Sequence, residues 1–478
     1  MAMRGAVSLE VSVPARPARS TRAPDAMSAR TRLLLEGPVA LTLLRLAAPN
    51  VAVMMLQAAV TTLDGVFVGW LGREALAGIS LVFPLVMLMQ TMSAGGMGGG
   101  VASAIARALG AGRRADADAL AVHAMLIAGV MAALFTGCFI AGGPAIYRAM
   151  GGHDTALESA LAYSRVVFGG ALVYWLFNTL GSIVRGSGNM ALPATVMTAV
   201  SLIYLCVAPG LVLGWGIFPR LGIRGVGVAS LLSFSLGVTI LLWYLYSGRS
   251  LVSPSLHRRG LRWQLFWEIL RVGAPGSLNT ILTNLTVVLL TGLVGRFGAS
   301  ALAGYGMGAR LEYLLIPLVF GLGSGLVTMV GTNVGAGQRA RAERIAWVGA
   351  GLAAVLTGSV GIVAALSPDS WLLLFSKDPD VLAAGARYLR IVGPAYGFFG
   401  VGLALYFASQ GAGQLLWPLV VGFTRLLVAA LGGWLAMRWL DGGIGVLFAA
   451  MAIALMVFGT ANALAVKLGA WRPAGSSR

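Results

Sequence analysis

The most chemically informative residue in this chain is a carboxylate inside an apolar run. Asp64 is preceded by Thr61 three positions back and Gln57 seven positions back. On a helix, residues i, i+4 and i+7 share a face, so Gln57, Thr61 and Asp64 form a stripe of one carboxyl and two hydrogen-bonding neighbours. An ionised side chain at lipid depth costs roughly 2.5–3.5 kcal/mol on insertion scales, so such a residue faces a cavity and has a task. Poor solvation brings the neutral form of a carboxyl within reach, which suits a group that takes up and releases a proton. Glu312 is the other acid deep in an apolar run, and Arg310 stands two positions before it. An i, i+2 pair does not share a helix face, so each is expected to have its own partner, in an ion pair that locks packing or in contact with substrate. Tyr174, Asn178, Asn284 and Tyr396 are further polar or aromatic residues within apolar runs and candidates for cavity or substrate contact.

These residues must be positioned by membrane helices. The 478-residue chain is 58% hydrophobic and only 10% charged, with a mean hydropathy of +0.86. Soluble domains carry about 25% charged residues, so this composition cannot cover several water-facing surfaces. A helix crosses ~30 Å of hydrocarbon in about 20 residues. Twelve such runs are expected, at 43–69, 76–106, 117–142, 160–184, 192–214, 226–247, 267–294, 301–329, 343–366, 386–408, 418–439 and 443–467. The second and eighth are long and glycine-rich, and are expected to bend. The two cysteines, Cys138 and Cys206, are far apart, and the three histidines are scattered; neither set suggests a disulfide framework or a metal site. The net charge of +18 would suggest nucleic acid in a soluble protein. Here the arginines gather in short loops and in the N-terminal tail. With both termini placed inside, the inner segments hold about twice as many basic residues as the outer ones, including Arg113, Arg114, Arg258, Arg259, Arg262, Arg339, Arg341 and Arg344.

The two halves repeat one another. Val68-Gly69-Trp70-Leu71-Gly72 and Ala75-Leu76-Ala77-Gly78 recur as Val294-Gly295-Arg296-Phe297-Gly298 and Ala301-Leu302-Ala303-Gly304, at an offset of 226 that also carries Pro49 onto Pro275. Gly110-Ala111-Gly112 recurs as Gly335-Ala336-Gly337, and Gly186-Ser187-Gly188 with Pro193 as Gly411-Ala412-Gly413 with Pro418, at an offset of 225. Six spans per half is an even number, so the copies insert in the same orientation, related by an axis along the membrane normal, with a cavity between them. The fold class is therefore an all-α polytopic membrane protein with two pseudo-symmetric six-helix lobes. Expected boundaries are a disordered basic tail over 1–36, an N-terminal lobe over 37–248, a linker over 249–266, a C-terminal lobe over 267–467 and a tail over 468–478. The tail composition also resembles a transit peptide, without a cleavable apolar segment. The run from Gly95 to Gly100 lacks the Lys-Ser/Thr of a phosphate loop and reads as a surface for close helix packing. His123 reads as a packed or cavity-lining residue.

The ordered motifs Pro49, Asp64, Val68 to Gly72, Ala75-Leu76-Ala77 and Gly110-Ala111-Gly112 resemble the multidrug and toxic compound extrusion (MATE) antiporter family. The second half adds Arg310-Leu311-Glu312, Pro317 and Gly331 to Gly337. The resemblance covers residues 40–467. Gln57 and the Arg-Leu-Glu string lean towards its DinF-like branch. It implies a MATE-like fold and assigns cation coupling to Asp64. The family's Asn-x-x-x-Asp-Pro is here Tyr204 to Pro209, and the seventh-span Glu of the NorM-like branch falls on Thr283. The repeat partner of Asp64 is Leu290, which confines the ionisable site to the N-terminal lobe.

The expected function is secondary antiport of an organic, cationic or amphipathic compound against protons. Na⁺ fits less well, because one carboxylate offers it few oxygens. No cofactor beyond the ion gradient is expected, no nucleic acid partner, and a monomer in the cell (inner) membrane with cytoplasmic termini. The alternative within the superfamily is a lipid-linked oligosaccharide flippase, which would need more cleft cations than Arg310 and Arg425. A major-facilitator transporter would carry an Asp-Arg-x-Gly-Arg-type loop, and an intramembrane enzyme would need a convergent nucleophile, base or metal set; neither is present.

Overall fold

The computed structural model describes residues 29–216, 218–255, 260–439 and 443–471, without the side chains of residues 58, 61, 62, 64–66, 73 and 436. Long apolar segments satisfy their backbone groups internally as helices, as a lipid environment requires. The membrane helices are α1 (Val39–Gly69), α2 (Glu74–Gly110), α3 (Arg114–Ala149), α4 (Asp154–Gly169 and Ala171–Gly186), α5 (Ala191–Leu213), α6 (Ile223–Tyr246), α7 (Trp263–Gly295), α8 (Ala299–Gly335), α9 (Arg339–Leu366), α10 (Pro379–Ala412), α11 (Leu416–Trp439) and α12 (Gly443–Lys467). Eleven are long and apolar enough to span, and α4 makes the twelfth as two pieces bent by 47°.

Successive helices alternate direction. Connections 110–114, 186–191, 246–263, 335–339 and 412–416 therefore share one face with the short helix Ala29–Glu36, here called the tail face. The repeated glycines end helices in the same way in both halves. Gly72 and Gly298 take φ 99° and 98°, and Gly112 and Gly337 take φ 72° and 77°, values only glycine adopts freely. At α10, Asp378 caps the helix by accepting from Asp380 N and Val381 N, and Pro379 opens the first turn.

Each lobe has its own core. The N-terminal one centres on Ile105, Leu120, Phe168, Trp175 and Leu180, and the C-terminal one on Tyr388, Tyr396, Phe399, Phe448 and Phe458. A third cluster joins the halves, setting Leu34, Leu43, Ala47 and Ala102 against Val272, Leu322, Leu326 and Val330.

Three expectations are corrected. Part of the expected disordered tail is ordered: Ala29–Glu36 is helical and buries Leu34 and Leu35, while residues 1–28 lie outside the described residues. The linker gives way to helix at Trp263, earlier than 267. Finally, α2 and α4 run to Gly110 and Gly186, past the apolar runs that ended at 106 and 184. A hydropathy reading ends a span at an arginine. Arg107 and Arg185 instead stay in their helices, because backbone and hydroxyl oxygens receive their guanidinium protons.

Candidate coupling site and the seam between the lobes

Thr61 and Asp64 belong to α1, and their side chains lie outside the described residues. The rest of their stripe is defined. Ser201 Oγ of α5 donates to Gln57 Oε1 at 3.1 Å, and Gln57 Nε2 approaches Met197 Sδ at 3.9 Å. One turn on, Val60 packs with Tyr204, Ala208, Leu211 and Ala229. Gln57 and Val60 thus face α5 and α6 inside the N-terminal lobe. Deeper in the same lobe, the Tyr174 hydroxyl lies 2.6 Å from Ser230 Oγ, and Asn178 Nδ2 donates to Ser93 Oγ at 2.8 Å. Both join neighbouring helices of one lobe.

Glu312 and Arg310 part company, as their spacing requires. Glu312 Oε2 accepts from the Tyr388 hydroxyl at 3.3 Å, and Arg425 of α11 acts on it electrostatically without closing to an ion pair. The Arg425 guanidinium lies over Phe458 at 5.2 Å and Phe399 at 5.9 Å, a cation–π arrangement that offsets part of its lost hydration. Tyr305 and the wholly buried Tyr396 complete this cluster. Arg310 is exposed and lies over Phe375 at 5.2 Å. Asn284 is exposed and donates to Thr280 O within its own helix. The sequence had not paired Glu312 with Tyr388, 76 positions away, or with Arg425.

The lobes meet along α1, α2, α7, α8 and the tail-face ends of α4 and α10. Small residues let the backbones touch, which is how helices associate without a hydrophobic drive between them. Gly96 lies against Ser277 and Gly100 against Gly273; in the pseudo-equivalent places Gly321 meets Val51 and Gly325 meets Leu43. At the tail face a Cβ on Gly110 would strike the Thr332 carbonyl, and one on Gly335 would strike the Arg107 carbonyl. Hydrogen bonds follow the same pairing. Ser103 Oγ donates to Gln410 O at 2.5 Å, and Thr328 Oγ1 to Arg185 O at 3.0 Å. Arg107 adds Ser103 Oγ, Gly411 O and Glu268 O as acceptors. Asn50 Nδ2 donates to Ser324 Oγ at 2.6 Å.

The seam reaches only part of the membrane depth. Its deepest hydrogen bond runs from Gln410 Nε2 to Gly95 O at 3.0 Å, near the middle of α2. Beyond that level no hydrogen bond between the lobes is found among the described residues. At the tail face the linker is tied down by Arg262 to Asp116 at 2.5 Å and by Asp118 Oδ1, which accepts from Ser253 N at 2.7 Å. Arg113 stands between Asp116 at 3.1 Å and Glu268 at 3.8 Å, so one arginine links α3 to α7. His123 is a packed residue: it is fully buried, its Nε2 accepts from Arg262 N at 3.0 Å and its Nδ1 lies 2.7 Å from Ala119 O. The helix Ala29–Glu36 lies across the seam. Leu34 packs on Gly188 of one lobe, while Leu34 O accepts from Asn333 of the other at 3.0 Å.

Sequence reasoning missed Ser103, Arg107, Arg185, Thr328 and Gln410. The repeat held the signal, because the offset of 225 that aligns the glycine motifs also pairs Ser103 with Thr328 and Arg185 with Gln410.

The MatE family model matches residues 49–209 and 275–435, one copy in each half. A protein named FAD transporter from Shewanella oneidensis is 27% identical over 424 residues, covering 87% of this chain and 92% of its own. A protein named "Probable multidrug resistance protein NorM" from Thermotoga maritima is 26% identical over 398 residues, covering 81% of this chain and 83% of its own. Among solved structures, a MOP superfamily transporter from Pyrococcus furiosus superposes with a TM-score of 0.86, covering 93% of this chain and 99% of that one at 23% identity. At that identity the likeness concerns the fold.

Proposed function

Given that the chain belongs to the MatE family and is a multi-pass membrane transporter, we propose that it is a secondary antiporter that exports organic, cationic or amphipathic compounds in exchange for protons. The observation that supports this reading is that α1, the helix that carries Asp64, enters the N-terminal lobe at Gln57 and Val60 against Ser201, Met197 and Tyr204. The tail face is the cytoplasmic one, because Arg113, Arg114, Arg339, Arg341 and Arg344 gather there. With the hydrogen bonds of the seam running from that face to about the middle of α2, the lobes in this reading part on the opposite side.

A proton arriving from outside neutralises Asp64, repacks α1 against α5 and releases the substrate. The lobes then rock about the seam, and loss of the proton on the inner side restores affinity for a cation. Multidrug export agrees with the names of several relatives.

A second reading concerns the cargo. The FAD transporter similarity and the seam cations Arg107 and Arg185, with no carboxylate within ion-pair distance of Arg185 among the described residues, favour a substrate that carries an anionic group. Liposomes containing the purified protein separate these readings. Uptake of a fluorescent organic cation should require a pH gradient, and Asp64→Asn should abolish it while insertion is unchanged. Transport by the Asn variant at the wild-type rate would overturn proton coupling at Asp64. Preference for a flavin dinucleotide over the cation would select the second cargo.

A further inference from the structure

Midway along α2 the regular helix gives way to a π-helical segment, Met92–Met97. Such segments hold one extra residue in the turn and leave carbonyls free of the usual ladder. Here the acceptors at the segment's end, Gly95 O and Gly96 O, receive the Gln410 Nε2 protons at 3.0 and 3.4 Å. Gln410 belongs to the other lobe, is fully buried, and lies so close over Gly99 that any Cβ there would strike its amide. Ser277 and Gly273 of α7 close on Gly96 and Gly100 from the other side.

The arrangement breaks the pseudo-symmetry of the seam. Arg185, the repeat partner of Gln410, turns its guanidinium back to Ser182 of its own helix. The matching part of α8 carries Pro317 and has no π segment. The polar bond between a side chain of one lobe and a loosened turn of the other is therefore made on one side only.

The π segment divides α2 into an inner and an outer part. Beyond it, the outer part of α2, up to Thr91, packs through Gly78 on Ser159 and Ala160 of the outer piece of α4. That piece is itself bent from its inner continuation at Gly169 and Gly170. Asn178, about two turns into the inner piece of α4, donates to Ser93 Oγ of the π segment. Two outer pieces packed on each other can move together.

We propose that Gln410 and the π segment form a latch between the lobes. While the tail face is closed, Gln410 holds the π turn open. When the lobes separate there, Gly95 O and Gly96 O lose their donor and the segment anneals to α-helix. This re-aims the outer pieces of α2 and α4, since one residue of register corresponds to about 100° of turn and ~1.5 Å of rise. The latch rests on the alternating-access reading above.

The test uses the full chain in lipid, with Cys138 and Cys206 replaced by Ser and spin labels at two pairs of sites. Ala111 with Gln338 reports the tail face, and Leu76 with Arg220 reports the outer piece of α2 against the α5–α6 connection. Gln410→Met, which keeps the length of the side chain without its donor, should lengthen the first distance and shift the second by several ångströms in the same sample. Gln410→Glu, which turns the donor into an acceptor, should do the same. Deleting Gly95 should give the shifted second distance whatever residue stands at 410. A tail face that opens in the variants with no change at Leu76 and Arg220 overturns the latch. A tail-face distance that never changes, in the variants or under a pH gradient, overturns alternating access itself.

Discussion

Ser103 and Thr328, 225 positions apart, make the same bond in opposite directions across the molecule. Each hydroxyl donates to a backbone carbonyl near the tail-face end of the opposite lobe's fourth helix, Ser103 to Gln410 O at 2.5 Å and Thr328 to Arg185 O at 3.0 Å. The internal repeat is therefore an interface as well as an ancestry, and its two copies close on each other at the tail face.

Removing either hydroxyl should loosen that closure. Thr328→Val deletes the bond to Arg185 O, about 1 kcal/mol net, which is roughly a fivefold shift of the lobe equilibrium towards a tail-open state; Ser103→Ala should shift it further, because Arg107 loses an acceptor as well. Solvent accessibility of a cysteine placed at Ala106 would report it, and equal labelling of wild type and variants would contradict it.

The glycine contacts should be less forgiving. Gly110→Ala and Gly335→Ala drive a Cβ into the carbonyls of Thr332 and Arg107, so the lobes can no longer meet. Such variants are expected to insert normally, lose transport and remain open at the tail face in spin-label distance measurements. Gly129→Ala, where nothing lies within 4 Å of the added carbon, is the control and should transport normally.

Gln57 offers a test of the coupling face that spares Asp64. Gln57→Leu removes the acceptor for Ser201 and leaves the α1–α5 contact apolar. Proton-driven export should fall by about tenfold, the cost of a lost polar contact beside a working carboxyl, with a displaced pH–rate profile. An unchanged profile would separate Gln57 from coupling.

The acid of the C-terminal lobe should prove linked to Arg425. Glu312→Gln leaves that guanidinium without its counter-charge, at a cost on the order of 2 kcal/mol. Thermal unfolding in detergent should show the loss, and Glu312→Gln combined with Arg425→Met should recover most of it. Strictly additive losses in the double variant would show that the two side chains act independently.

Much of this protein could be read before any fold was known. Apolar run length determines that a segment spans, because each backbone group must be satisfied within its own helix. The repeated glycine motifs determine where helices end, and they mark Gly72 with Gly298 and Gly112 with Gly337 as equivalent turns. The rarity of acids in the spans singles out Asp64 and Glu312. Which side chains meet was decided only by tertiary structure. Gln410 reaches Gly95 across 315 positions, and Glu312 finds Tyr388 and Arg425 where Arg310 had been its visible neighbour. Hydropathy and periodicity report the surroundings of each helix one at a time, whereas the seam depends on the rotation and depth at which two helices touch. Those are set by the smallest residues along the contact, and a single sequence does not state how they fit together.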